Sequence, residues 1–109
     1  MKVLITDPVD QVCVDLLESN GIKADVQIKK SDAELRLLAA DADGWIIRSG
    51  TTITADLIEA ADRLKVIGRA GVGVDNIDID AATRRGVLVI NAPDGNTIST
   101  AEHTCAMLL

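Results

Sequence analysis

Five short apolar runs alternate with segments of helical periodicity, and this alternation confines the chain to one architectural class. Residues 3–6, 24–28, 44–47, 66–68 and 87–90 read as strands. Between them, 10–19 carries Val12, Leu16 and Leu17 at helical spacing and meets a stop at Gly21. A helix over about 32–40 turns Leu35, Leu38 and Ala39 inward. A segment capped by Thr54 carries Leu57, Ile58 and Ala61 on one face, and Asp80 to Arg85 forms a brief helix closed by Gly86. Strands and helices alternating at this spacing form βαβ units around a parallel sheet. Five strands predict an α/β fold of the flavodoxin-like kind, a doubly wound, parallel five-stranded sheet.

Local signals agree with these boundaries. Ser31-Asp32-Ala33-Glu34 has the order of a capping box, in which the serine hydroxyl and the glutamate carboxylate each take a free backbone N–H. Ser99-Thr100-Ala101-Glu102 repeats it, so a further helix is expected there. That helix runs through His103, Cys105 and Met107 to Leu109 without a closing glycine or polar turn. The 109 residues are therefore expected to be the N-terminal part of a longer chain.

Composition narrows the function. With one Trp and no Phe or Tyr, the core must be Val, Ile, Leu and Ala, which suits a sheet buried on both faces. So few aromatics cannot stack bases, and a net charge of −6 repels phosphate backbones, so no nucleic-acid partner is expected. No run approaches the ~20 apolar residues of a membrane span, and the first residues read as a strand, not a signal peptide. Cys13 and Cys105 fit neither CxxC nor metal-ligand spacing. They read as small buried apolar residues in a reduced, cytoplasmic setting, and no metal site is expected.

The most informative run is Gly68-Arg69-Ala70-Gly71-Val72-Gly73-Val74-Asp75-Asn76, between the fourth strand and the brief helix. Glycines let the backbone turn tightly and aim its N–H groups at an oxygen-rich ligand, although a glycine-rich turn without a ligand fits the same residues. It is not a dinucleotide fingerprint. Asn76 stands where the last glycine of Gly-x-Gly-x-x-Gly belongs, the helix is short, and Asn91 follows the next strand instead of an acid. The carboxyl ends of the strands would gather Asp7, Arg48-Ser49, Arg69 with the glycine run, and Asn91 with Asn96 beyond. Ligands bind at that edge in open α/β sheets, and arginine forks match carboxylate or phosphate. A small, multiply negative ligand is expected there, unless the arginines pair with Asp7 or Asp75. A two-component receiver shares the fold but needs an aspartate after the third strand and a lysine after the fifth, where this chain has Arg48 and Asn91. His103 is the sole histidine, has no carboxylate with an obvious claim to orient it, and reads as a surface or interdomain residue.

Taken together, several stretches resemble the D-isomer-specific 2-hydroxyacid dehydrogenase family, most closely its phosphoglycerate branch. They are Trp45-Ile46-Ile47-Arg48-Ser49-Gly50-Thr51, Val66 to Asp78 around the glycine run, Gly86 to Asn96 with its Asn91-Ala92-Pro93-Asp94-Gly95-Asn96, and Ser99 to His103. The resemblance implies that residues 1–96 form a substrate-binding domain and that 97–109 begin a hinge helix leading into an NAD-binding Rossmann domain outside this chain. It implies an NAD-dependent oxidoreductase acting on 3-phosphoglycerate in serine biosynthesis. Alternatives within the same fold are a glyoxylate, hydroxypyruvate or D-lactate enzyme, or a non-catalytic ligand-binding protein. The catalytic arginine, carboxylate and histidine would lie beyond Leu109, so the chain alone is expected to be inactive. Arg48, Ser49, Arg69, Val72, Gly73 and Asn96 would contact substrate, Val72 and Gly73 through backbone N–H groups. Val72 and Thr100 would also touch the cofactor. Many members of that branch carry Thr at the place of Val72; a backbone contact survives the change and a hydroxyl contact does not. A homo-oligomeric parent is implied as well.

Overall fold

The computed structural model describes residues 1–8, 11–48, 50–70 and 76–92. Its elements run β1 (Lys2–Ile5), α1 (Gln11–Ser19), β2 (Lys23–Val26), α2 (Asp32–Ala39), β3 (Gly44–Ile47), α3 (Ala55–Ala60), β4 (Val66–Ala70), α4 (Ile79–Arg85) and β5 (Leu88–Ala92). The strands form one sheet in the order β2-β1-β3-β4-β5, and every pairing is parallel. This is the doubly wound arrangement expected from the alternation of elements.

Side chains alternate across the sheet, as strand geometry requires. Leu4, Trp45, Ile47 and Ile67 face the side covered by α2, α3 and α4, where Leu35, Ala39, Leu57, Ile58, Ala81 and Ala82 meet them. Val3, Ile5, Ile46 and Val66 face the other side, where Leu17 of α1 and Ile22 pack. Register lines up Leu4, Trp45 and Ile67 across three neighbouring strands, which places the single, fully buried Trp45 at the centre of the core.

The boundaries differ from the sequence reading where pairing partners decide them. β2 ends at Val26 because its neighbour β1 ends at Ile5, and the chain then turns at Lys29, whose φ of 59° lies in the left-handed region. β4 runs on to Ala70 because Asn91 and Ala92 of β5 extend the ladder opposite Arg69 and Ala70. Residues assigned to a turn by their polarity are thus held as strand. Helix caps follow the local signals. Ser31 and Glu34 close the capping box, Thr54 caps α3, and Gly86 ends α4 with φ 70°. Asp78 caps α4 by accepting from Ala81 N at 3.0 Å, which moves the helix start ahead of Asp80.

The amino end of the sheet is pinned by charge. The Lys2 ammonium bonds to Asp41 at 2.9 Å and lies 3.4 Å from Asp25. The bond to Asp41 holds Lys2 above its ordinary pKa, and the same bond holds Asp41 below its own. Buried Asp43 accepts from the Lys2 backbone N–H at 2.9 Å. The carboxyl end of the sheet is left to carry the site. Among the described residues no helix is long and apolar enough to cross a membrane.

A braced turn at the carboxyl edge of the sheet

β1 and β3 are neighbours in space, so the residues leaving their carboxyl ends meet. Asp7, only 5% exposed, turns its carboxylate onto the turn after β3. Its Oδ2 accepts from Arg48 N at 2.7 Å and Thr51 N at 3.0 Å, and its Oδ1 accepts from Thr51 Oγ1 at 2.8 Å. Asp7 therefore binds the backbone that carries Arg48 rather than the Arg48 guanidinium. That guanidinium is exposed and, among the described residues, makes only a long contact, 3.4 Å from Nη1 to the carbonyl of Pro8. The alternative in which Arg48 is neutralised by Asp7 is thereby removed.

Behind the carboxylate lies a hydrogen-bond relay into the core. Trp45 Nε1 donates to Thr6 Oγ1 at 2.9 Å, and Thr6 Oγ1 lies 2.8 Å from Thr51 Oγ1. An indole N–H can only donate and a carboxylate can only accept. The Thr51 proton is committed to Asp7, so Thr6 donates to Thr51 and every bond in the relay points toward Asp7. Such one-way chains polarise each bond along them. A cavity of about 400 Å³ lies beside the turn and is lined by Thr6, Asp7, Lys29, Lys30, Gly50 and Thr51 among others.

The opposite side of the turn is held by Asn76. Its Nδ2 donates to the carbonyls of Arg48 at 2.8 Å and Thr51 at 2.6 Å, while its Oδ1 accepts from Arg69 Nε at 2.6 Å. Arg69 lies near the end of β4, is 7% exposed, and faces Asn91 across the ladder. Asn91 Oδ1 is buried without a hydrogen-bond partner among the described residues, an acceptor that costs about 1–3 kcal/mol to leave unmade.

Of the residues expected to form the site, Arg48 and Arg69 come to the same edge and are linked through Asn76. Ser49, Val72, Gly73, Asn96 and Thr100 lie outside the described residues, as do His103 and Cys105. In the sequence reading Asp7 appears as a strand-end acid and possible ion-pair partner of the arginines, and Asn76 as the misplaced last position of a glycine pattern. Their bracing role is invisible there, because it depends on β1 lying next to β3 and on the return of residue 76 to the turn. The available signal was the cluster of short polar side chains, Thr6, Asp7 and Thr51, just beyond two apolar runs.

Fold and edge together define the class: a doubly wound, all-parallel α/β domain whose carboxyl edge carries arginines on a braced turn and on the neighbouring strand. The chain belongs to the D-isomer specific 2-hydroxyacid dehydrogenase family, whose catalytic-domain pattern matches residues 3–106. It is 50% identical over 109 residues to a D-3-phosphoglycerate dehydrogenase of Archaeoglobus fulgidus, which covers 100% of this chain and 21% of that protein. The rat (Rattus norvegicus) D-3-phosphoglycerate dehydrogenase is 49% identical over 108 residues, covering 99% of this chain and 20% of that protein. The crystal structure of NAD+-bound 3-phosphoglycerate dehydrogenase from Entamoeba histolytica superposes with a TM-score of 0.78 at 33% identity, over 85% of this chain and 33% of that one. The chain spans about a fifth of the length of the curated relatives it matches.

Proposed function

We propose that this chain is the substrate-binding part of an NAD-dependent D-3-phosphoglycerate dehydrogenase, with residues 1–96 as the substrate-binding domain and 97–109 as the start of a hinge helix. The parent enzyme oxidises the C2 alcohol of 3-phosphoglycerate to the ketone of 3-phosphohydroxypyruvate, the hydride passing to NAD and the hydroxyl proton to a base. The observation that carries this reading is the braced edge. One arginine stands exposed on a fixed turn, and a second, buried arginine is joined to that turn by a shared asparagine. Guanidinium groups held in place suit a small acid with a carboxylate at one end and a phosphate at the other. By family pattern, Ser49, Val72, Gly73 and Asn96 join Arg48 and Arg69 around the substrate.

NAD, when bound, supplies the hydride acceptor. The described edge offers guanidinium and amide groups but no Gly-x-Gly-x-x-Gly between strand and helix, so its donors fit the substrate anions better than a dinucleotide. The cofactor is accordingly assigned mainly to a second domain, with Val72 and Thr100 as contacts from this one. The same reading places the enzyme in the cytoplasm as a homo-oligomer.

The test is an amide-resolved NMR titration of this chain with 3-phosphoglycerate, with inorganic phosphate and D-lactate as controls, alongside NADH formation by the full-length enzyme. Shifts at Arg48, Arg69, Val72, Gly73 and Asn96 at concentrations well below the controls, with turnover of 3-phosphoglycerate in preference to D-lactate, are expected. Turnover of D-lactate or reduction of glyoxylate in preference would move the enzyme to another branch of the family.

A further inference from the structure

Asn76 touches both the Arg48 turn and Arg69 with one side chain. Its amide is used in full on the donor side, since Nδ2 has two protons and meets two carbonyls, and its oxygen takes Arg69 Nε. No other residue of similar size can do this. Aspartate has no donor for the carbonyls, and leucine has neither donor nor acceptor.

The backbone at this point is fixed independently of the side chain. Ile53 N donates to the Asn76 carbonyl at 2.8 Å and Asp78 N to the Ile53 carbonyl at 2.9 Å, with Ile53 and Ile77 both buried. Residue 76 would therefore keep its place when its side chain is changed, while the turn would lose one of the two braces seen among the described residues. The other brace, Asp7, grips the N–H groups of the turn and leaves its carbonyls to Asn76.

We propose that Asn76 is a positioning residue that locks the Arg48 turn to Arg69, so that the two arginines address the two anionic ends of one ligand as a single site. The inference rests on the reading above for its ligand class, a small molecule with two anionic ends. Without the amide, Arg48 would still be present and charged, and Asp7 would still grip the turn, but the turn would be held less firmly against Arg69. A ligand that spans both would then lose affinity, whereas a ligand with one anionic group would not.

The test uses this chain, its Asn76→Ala and Asn76→Asp variants, and two probes. One is 3-phosphonopropionate, which has both anionic ends but no hydroxyl to oxidise; the other is inorganic phosphate. Binding is followed by NMR, with the Trp45 indole signal as a check that the core is native. The unsubstituted chain should prefer 3-phosphonopropionate, and Asn76→Ala should reduce that preference roughly tenfold, as expected for loss of bonds at a charged site. The Arg48 and Thr51 amide signals should move in both variants. The Arg69 Nε signal should move in Asn76→Ala and stay near its place in Asn76→Asp, which keeps an acceptor for it.

No preference for the two-ended probe in the unsubstituted chain overturns the inference, as does a preference that survives Asn76→Ala. Loss of preference with unmoved Arg48 and Thr51 signals also overturns it, because the effect would then not pass through the turn. Failure of the full-length enzyme to oxidise 3-phosphoglycerate would instead count against the dehydrogenase reading, leaving these probes to decide the role of Asn76.

Discussion

Gly50→Ala tests the bracing of the turn at its tightest point. A Cβ at position 50 would sit 2.7 Å from Asp7 Oδ1 and 3.4 Å from its Cγ. Gly50 is not among the described glycines with positive φ, Gly21 and Gly86, so the cost of the added methyl group is one of space and not of backbone strain. An exposed carboxylate would swing away cheaply. This one is buried and holds Arg48 N at 2.7 Å, Thr51 N at 3.0 Å and Thr51 Oγ1 at 2.8 Å. Hydrogen bonds to a charged group contribute about 1.5–3 kcal/mol each, and losing one while stretching the others sets the expected cost at about 2–3 kcal/mol. Urea unfolding followed by the fluorescence of Trp45, the only tryptophan, gives the number. The mechanism is checked by repeating the substitution in an Asp7→Ala background. The three nearest atoms that the new methyl group would meet all belong to Asp7, so there the same change should cost less than about 0.5 kcal/mol. A cost below about 0.5 kcal/mol in the unsubstituted background, or equal costs in both, would refute the argument that Asp7 is pinned against the turn.

Three further outcomes are expected. Trp45→Phe removes the donor to Thr6 and leaves a void at the centre of the sheet, and should destabilise by about 1–3 kcal/mol in urea unfolding followed by far-UV circular dichroism. Gly86→Ala meets nothing within 4 Å yet forces a methyl-bearing residue to φ 70°, so it should cost about 1 kcal/mol, all of it conformational. The Ser31 backbone N–H, and then its hydroxyl, holds the Glu34 carboxyl below its ordinary pKa. Its contribution is therefore present above the unfolded value of about 4.3 and is lost as pH falls through the lower folded value. In acid titrations of stability, Glu34→Gln should be less stable than the parent above the ordinary carboxylate range and converge with it below; parallel curves would remove the capping carboxylate as the cause.

Much of the fold was legible because it is written in local terms. Apolar runs of strand length, Ser31 with Glu34, Thr54 and Gly86 each act within a turn or so of chain, and all appear where the sequence puts them. The start of α4 is shifted by a local cap, Asp78, but the errors in β2 and β4 fall where a neighbouring strand decides. β2 is cut short by β1, and β4 is lengthened by β5 through Arg69, a residue whose polarity argues for a loop. At the site, Arg48 and Arg69 were legible as strand-end arginines. Asp7 was legible as a possible ion-pair partner, and its actual role differs: it grips backbone N–H groups because the turn folds over it.

What the sequence determined by itself is the alternation of elements and hence the parallel sheet, since hydrophobic period and caps are properties of neighbouring residues. It also determined which chemistry could reach the carboxyl edge, because side chains just beyond a parallel strand always emerge there. Only the tertiary structure decided how that edge is held. Asp7, Thr51 and Asn76 are separated by long stretches of chain, and no local pattern links them. They become partners because the strand order sets β1 beside β3 and because the Ile53–Ile77 pairing brings residue 76 back to the turn. Backbone N–H and carbonyl groups turned inward at that edge then require partners, and these side chains are the ones within reach.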